Sequence, residues 1–169
     1  TALDFLRGID TQKSFSKTLN ISNVDISNGF LHVCDLTGLM GRWQTLSDKP
    51  LTICDTGHNV GGWEYLSKQL EETPGTLHIV IGMVGDKDVR KVISMLPKRA
   101  KYYFTQASVA RAMPVGDFAE IAREFGLEGK SYDNVMQAYN EASSDATPED
   151  TIFIGGSTFV VADLLANLL

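Results

Sequence analysis

The sequence predicts an α/β fold in which helices cover both faces of an open, mostly parallel sheet. Three observations carry that reading. From Leu51 onward, short β-rich runs alternate with amphipathic helical patterns. The runs are apolar on both sides, as in Ile79-Val80-Ile81, which is the signature of strands buried between two layers. Each run ends in a glycine-rich or polar turn before the helical period resumes.

The elements follow in order. Leu51-Thr52-Ile53-Cys54-Asp55 is a strand that turns at Gly57, and Trp63, Leu66 and Leu70 give one face of a helix ending near Pro74-Gly75. Leu77 to Gly82 is a second strand, followed by the loop Gly85-Asp86-Lys87-Asp88. Val89, Val92, Ile93 and Leu96 mark a helix closed by Pro97. Lys101 to Thr105 is a third strand, and Phe118, Ile121, Ala122 and Phe125 mark a helix stopped at Gly126. A short strand around Lys130 to Tyr132 leads to a helix with Val135, Ala138, Tyr139 and Ala142. Thr151 to Ile154 is the last strand, and Gly155-Gly156-Ser157 opens an apolar helix running to Leu169. This alternation implies right-handed crossovers and a Rossmann-like sheet of five to six strands.

Residues 1–40 break the pattern. Ala2 to Leu6 reads as a helix end capped by Gly8, and Ile26, Phe30, Val33 and Cys34 read as one further helix. The expected division is a helical tail of a preceding domain plus linker over residues 1–40, and an α/β domain over residues 41–169. The stretch Thr37 to Trp43, with its two glycines, forms the boundary. The chain begins at Thr1 rather than Met, which reads as a piece of a longer protein.

At 169 residues, 43% hydrophobic and 21% charged, the composition is that of a globular protein with a real core. Fifteen basic against 21 acidic residues give a net charge of −6, with no Lys/Arg stripe, which argues against nucleic acid as a partner. The apolar runs are too short for a membrane span, and no secretory signal is visible, so a cytoplasmic protein with reduced, buried Cys34 and Cys54 is expected.

Ligands of open α/β sheets collect beyond the carboxyl ends of the strands. The residues there are Asp55 to Asn59, Gly82 to Asp88, Thr105 to Ser108 and Gly155 to Ser157. Asp55 could accept from a ribose diol and His58 donate to a ligand, or Asp55 orders the turn while Asn59 caps the next helix. Ser157 at a helix start could hold a carboxylate or phosphate, or simply cap. Lys87 could meet an anion or stay solvated, with Asp86 or Asp88 as cap. Cys54 and His58 are too few for a zinc site. His32 and His78, in apolar settings, read as structural. Gly129-Lys130-Ser131 lacks the earlier glycine of a phosphate loop because position 124 is Glu124, and Gly57, Gly61 and Gly62 do not spell a dinucleotide fingerprint.

Three stretches taken together carry a resemblance. Gly41-Arg42-Trp43 with Asp55-Thr56-Gly57-His58-Asn59 resembles the "P-G-R … D-G-A-H-N-P" run of the folylpolyglutamate synthase/dihydrofolate synthase family. Gly82-Met83-Val84-Gly85-Asp86-Lys87-Asp88 is similar to its "G-M-x-x-D-K-D", and Asp150 to Ser157 resembles its closing "D-x-x-x-x-x-G-S". The departures are Met40 for proline, Thr56-Gly57 for Gly-Ala and Val60 for proline, all in turn residues. The match runs from about residue 25 to 169 and places the chain in the carboxy-terminal domain of the Mur ligase superfamily.

The resemblance implies an ATP-dependent ligase that joins L-glutamate to dihydropteroate or a folate through an acyl phosphate. It implies Arg42, Asp55 and His58 as ATP contacts, Ser157 as a glutamate contact, and Asn59 and Lys87 as loop contributors. It also implies that an amino-terminal ATPase domain of the same chain, carrying the phosphate loop and the Mg²⁺ ligands, is the partner, and that the piece alone is inactive. The rival readings are a peptidoglycan Mur ligase domain and a free-standing nucleotide-binding module.

Overall fold

The computed structural model describes residues 21–85 and 88–168. The expected helix end at Ala2 to Leu6 and the loop residues Asp86 and Lys87 lie outside them. The chain divides into two compact units, residues 1–40 and 41–169.

In the first unit, α1 (Asn23–Leu31) starts with a capping box in which Ser22 and Asp25 satisfy each other's backbone amides. α2 (Val33–Thr37) ends at Gly38, whose φ of 67° is left-handed. The single helix expected through Ile26, Phe30, Val33 and Cys34 is therefore two, broken at His32, which leaves helical geometry at φ −112°. His32 is not in an apolar setting: it is exposed and 3.8 Å from Asp35. Cys34 is only partly buried, which corrects the expectation of two buried thiols.

The second unit begins with β1 (Gln44–Asp48) and β2 (Leu51–Asp55), an antiparallel hairpin turned at Lys49-Pro50. Then come α3 (Val60–Glu71), β3 (Leu77–Ile81), α4 (Val89–Met95), β4 (Lys101–Phe104) and α5 (Val115–Glu124). The chain closes with β5 (Gly129–Ser131), α6 (Val135–Asp145), β6 (Thr151–Gly155) and α7 (Thr158–Leu168). Among the described residues the sheet has six strands in the order β1-β2-β6-β3-β4-β5, parallel except at β1. The predicted α/β class and strand number hold. The added strand is β1, whose Gln-Thr-Leu-Ser-Asp lacks apolar alternation because it lies at the sheet edge.

Strand periodicity divides the core into two layers. Ile53, Ile79, Ile81, Phe104 and Phe153 point to one face and pack on Trp63, Leu66 and Leu70 of α3, Val92 and Ile93 of α4, and Phe118 of α5. Cys54, Val80, Tyr103, Ile152 and Ile154 point to the other, against Val135, Ala138 and Ala142 of α6 and Val160, Val161 and Leu164 of α7. Trp63 meets Phe153 edge-on at 5.8 Å. Burial pushes the Cys54 thiol up to about 11, with Asp55 adding to the effect, so the thiol stays protonated at neutral pH. A thiol reagent at pH 8 is expected to label Cys34 in the folded chain and Cys54 only on denaturation; labelling of both in buffer would contradict this packing.

The amino ends of the strands are tied by polar bonds. Asp150 accepts from the Thr147 amide at 2.8 Å and the Thr76 amide at 2.7 Å, which joins the approaches to β6 and β3. These backbone bonds, first from Thr147 and then from Thr76, hold the Asp150 carboxyl well below the usual carboxylate range. His78, fully buried, bonds the Tyr103 hydroxyl through Nδ1 at 2.8 Å, and that hydroxyl donates to Asp145 at 2.9 Å. Burial, then Lys101, push the imidazole's pKa down, while Asp150 and Asp145 oppose them. A carboxyl depressed on folding lends stability above its unfolded pKa of about 3.9, and that stability is lost as pH falls below it. Denaturant titrations from pH 7 to pH 2 should show Asp150→Asn less stable at neutral pH and with a flatter acid limb than wild type. Parallel pH profiles would remove Asp150 as the source.

Candidate functional site

The site is built where β2, β3, β4 and β6 end. Asp55 is the last residue of β2 and is 9% exposed. Its Oδ1 accepts from the Gly57 amide at 2.7 Å and its Oδ2 from the Trp43 amide at 2.7 Å. The Thr56 amide adds a bond to Gly41 O at 2.9 Å. The strand-end turn and the segment entering β1 are thus locked together, with the Trp43 side chain against Phe153.

That lock holds an uncommon backbone. Trp43 has φ 43°, in the left-handed region, and Gly41 has φ 69°. A Cβ at Gly41 would meet Thr56 Cγ2 at 2.8 Å and Val161 Cγ1 at 2.9 Å, so glycine is required for fit as well as for φ. Arg42, between them, is exposed.

His58 follows the turn and is half-buried. Its Nδ1 lies 2.9 Å from Thr56 O. A carbonyl only accepts, so Nδ1 carries a hydrogen and Nε2 is the nitrogen left for another partner. Asn59 caps α3, its side chain accepting from the Gly62 amide at 2.9 Å. Ser157 is 2% exposed and its hydroxyl accepts from the Phe159 amide at 3.2 Å, so it caps α7. Gly156 has φ 90°, and a Cβ there would meet Gly82 O at 2.7 Å. Only glycine lets the ends of β6 and β3 come this close. Lys87 lies outside the described residues.

His58 and Ser157 meet in one cleft of about 260 Å³, lined also by Val84, Arg111, Thr158 and Phe159. Asp55, Arg42 and Asn59 are not in its lining: Asp55 holds the turn that leads to His58, and Arg42 stands just before β1. Arg111 carries no strand-end signal in the sequence: it lies beyond Thr105 to Ser108, and the helix that closes this loop begins only at Val115. The Arg111 guanidinium lies 5.7 Å from the Phe159 ring centroid. Among the described residues no group of three or more His, Cys, Asp or Glu side chains is placed to hold a metal ion, and no helix is long and apolar enough to cross a membrane.

A strand-end cleft lined by an imidazole, a guanidinium and a helix N-terminus has the chemistry to suit a small anionic ligand. A family model described as "Mur ligase, glutamate ligase domain" matches residues 41–158, and the chain belongs to that family. The dihydrofolate synthase/folylpolyglutamate synthase of Escherichia coli K12 is 35% identical over 129 residues, 75% of this chain and 30% of that protein. The solved structure "E.coli FolC in complex with DHPP and ADP" superposes with a TM-score of 0.75 at 31% identity, covering 89% of this chain and 35% of that one. A bifunctional folylpolyglutamate synthase/dihydrofolate synthase "with Mn, AMPPNP and L-Glutamate bound" gives 0.70 at 30% identity, covering 77% of this chain and 32% of that one. The resemblance read from three motifs is borne out. The chain spans about a third of the length of these relatives and corresponds to their carboxy-terminal portion.

The Asp55 bonds make a stability prediction. Asp55→Ala strands two amides and is expected to lower the unfolding free energy by about 2–4 kcal/mol. It should also speed hydrogen exchange at Trp43 and Gly57. Unchanged exchange at both amides would show that the carboxylate does not hold them.

Proposed function

We propose that this chain is the carboxy-terminal domain of an ATP-dependent folylpolyglutamate synthase/dihydrofolate synthase, and that residues 1–40 are the helical tail and linker of the ATPase domain preceding it. One observation carries the reading. His58, Arg111 and Ser157, from the loops after β2, β4 and β6, converge on a single strand-end cleft in a chain whose relatives are these ligases.

ATP supplies the phosphoryl group that turns a carboxylate oxygen into a leaving group, and L-glutamate supplies the attacking amine. The residues present fit such ligands. Arg42 offers a planar donor fork suited to phosphate oxygens, and its position between Gly41 and Trp43 is fixed by the Asp55 lock. His58, its Nδ1 committed to Thr56 O, presents Nε2 to the nucleotide. Asp55 keeps one lone-pair direction on each oxygen after accepting the two amides, and these are what a ribose hydroxyl would use. Ser157 contacts glutamate at the N-terminus of α7, where a carboxylate meets the helix dipole. Asn59 and Lys87 are the further loop contributors of this reading. The Mg²⁺ ligands and the phosphate loop belong to the preceding domain, which the described residues do not include, and without it the piece is inactive. The reading places the enzyme in the cytoplasm with dihydropteroate or folate as its second substrate.

The test uses the full-length enzyme. Glutamate-dependent ADP release should require dihydropteroate or a folate. Arg42→Ala and His58→Ala should each raise the KM for ATP about tenfold or more, the loss expected for one hydrogen bond to a charged group, without lowering Tm. An ATP dependence identical to wild type in both variants would remove these residues from the nucleotide site.

A further inference from the structure

We infer that the crevice between the loops after β4 and β5 is a second ligand site of this domain, and that its occupant is a small neutral polyol offering two adjacent hydroxyls.

The placement follows from the topology. In an open α/β sheet ligands bind where the connections from neighbouring strands leave for opposite faces, because the two loops part and a crevice opens between them. α3, α4 and α5 pack on one face of the sheet, and α6 and α7 on the other. β6 therefore sends its helix away from those of both its neighbours, β2 and β3. The first cleft lies there, between His58 after β2, Val84 after β3 and Ser157 after β6. β4 and β5 are also neighbours, and α5 and α6 leave them for opposite faces. At that point lies a crevice of about 270 Å³, with Ser108 after β4, Asn134 to Met136 after β5, and Asp163 and Asn167 on α7. The two crevices are closely matched in size and stand in the same relation to their strands.

Hydrogen-bond partners fix what each polar group has left. The Ser108 amide and hydroxyl donate to Asp163 at 2.7 and 2.8 Å, one to each carboxylate oxygen, so each oxygen keeps a lone pair. Asn134 Oδ1 accepts the Gln137 amide at 3.0 Å as the cap of α6, and among the described residues its Nδ2 keeps both hydrogens. Asn167 runs the other way: its Nδ2 donates to Asp163 O at 2.8 Å, and its Oδ1 remains to accept. A backbone amide only donates and a backbone carbonyl only accepts, so neither carboxamide can be turned around. The crevice thus offers donors from α6 and acceptors, including a carboxylate, from α7.

These groups select among ligand classes. A carboxylate or phosphate brings only acceptors and would stand against the charge of Asp163. An ammonium brings only donors and would leave the Asn134 hydrogens unanswered. A hydroxyl does both, giving its hydrogen to Asp163 or Asn167 and taking one from Asn134. Adjacent hydroxyls use both sides at once, and Val135 with Met136 supply an apolar wall for the C–H face of their carbon skeleton. The volume falls just below the roughly 300–1,000 Å³ of pockets that enclose drug-sized molecules, which suits a single sugar-sized ring.

The experiment is methyl NMR of the full-length protein carrying ¹³C-methyl methionine, titrated with D-ribose, for wild type, Asn134→Asp and Asn167→Ala. Met136 lines this crevice and Met83 stands next to Val84 of the first, so the two methyls tell the sites apart. D-Ribose should move the Met136 methyl saturably, in the millimolar range, and leave Met83 in place. Asn134→Asp keeps a capping oxygen and removes the donors, and it should weaken binding about tenfold or more at unchanged Tm. Asn167→Ala removes one acceptor and should weaken it about three- to tenfold. A Met136 methyl that D-ribose does not move, or moves alike in wild type and both variants, overturns the site. Movement by L-glutamate or inorganic phosphate in place of D-ribose overturns the polyol as its occupant. Each of these results leaves the ligase reading standing, since none of the varied residues lines the first cleft.

Discussion

A carboxylate at the end of a buried strand organises this domain. Asp55 closes β2, and its two oxygens take one backbone amide each, from Gly57 behind it and Trp43 ahead of the hairpin. The charge lies at a position almost closed to water, so it requires donors, and backbone amides supply them at fixed distances. The dependence is mutual. The turn needs an acceptor to reverse direction into α3, and the Gly41-to-Trp43 segment needs an anchor to hold Trp43 at φ 43°. The two bonds offset a backbone conformation that costs of order 1–3 kcal/mol. Arg42 is displayed and His58 is aimed as consequences of that one group.

Topology does the rest of the positioning. β6, the last strand in sequence, enters the sheet between β2 and β3 rather than at an edge. The loop after β6 therefore falls beside the loops after β2 and β3, and the N-terminus of α7 is delivered to the centre of the strand-end cleft. Gly156 permits the approach, and the Ser157 cap spends its hydroxyl on the helix while remaining in the lining. The opposite ends of the same strands carry the bonds that hold the sheet in register, through Asp150 and the His78-Tyr103-Asp145 chain. Structural polar bonding thus stands at both ends of the strands, Asp150 at the amino ends and Asp55 at the carboxyl ends, while the cleft lies at the carboxyl ends.

What was legible in the sequence follows the same division. Strands β2, β3, β4 and β6 are read from the pattern within a residue of their ends because burial on both faces forces apolar residues at consecutive positions. β1 is not, because an edge strand paired on one side needs no such pattern. The break of one expected helix into two at His32 carries no glycine or proline signal, and Cys34 looks apolar by type yet sits partly open. At the site, the imidazole and the serine are visible because they stand next to strand ends. Arg111 lies seven residues beyond the end of β4 and lines the cleft beside the bridge between Val84 and Ala112. No local pattern encodes that contact. Asp55 was visible as a candidate, but the choice between ribose acceptor and turn clamp depended on where residue 43 folds back, which is a tertiary fact.

The groups that line the cleft also define what kind of contribution this domain makes. Among the described residues the lining offers an imidazole, a guanidinium beside an aromatic ring and a capped helix start. The guanidinium and the helix start favour negative charge, so this part of the surface suits the binding and orientation of an anion. The imidazole differs from them: with Nδ1 donating to Thr56 O, its Nε2 is an acceptor. The lining therefore combines groups that attract negative charge with one that can receive a hydrogen, and the Thr56 carbonyl decides which nitrogen plays that part.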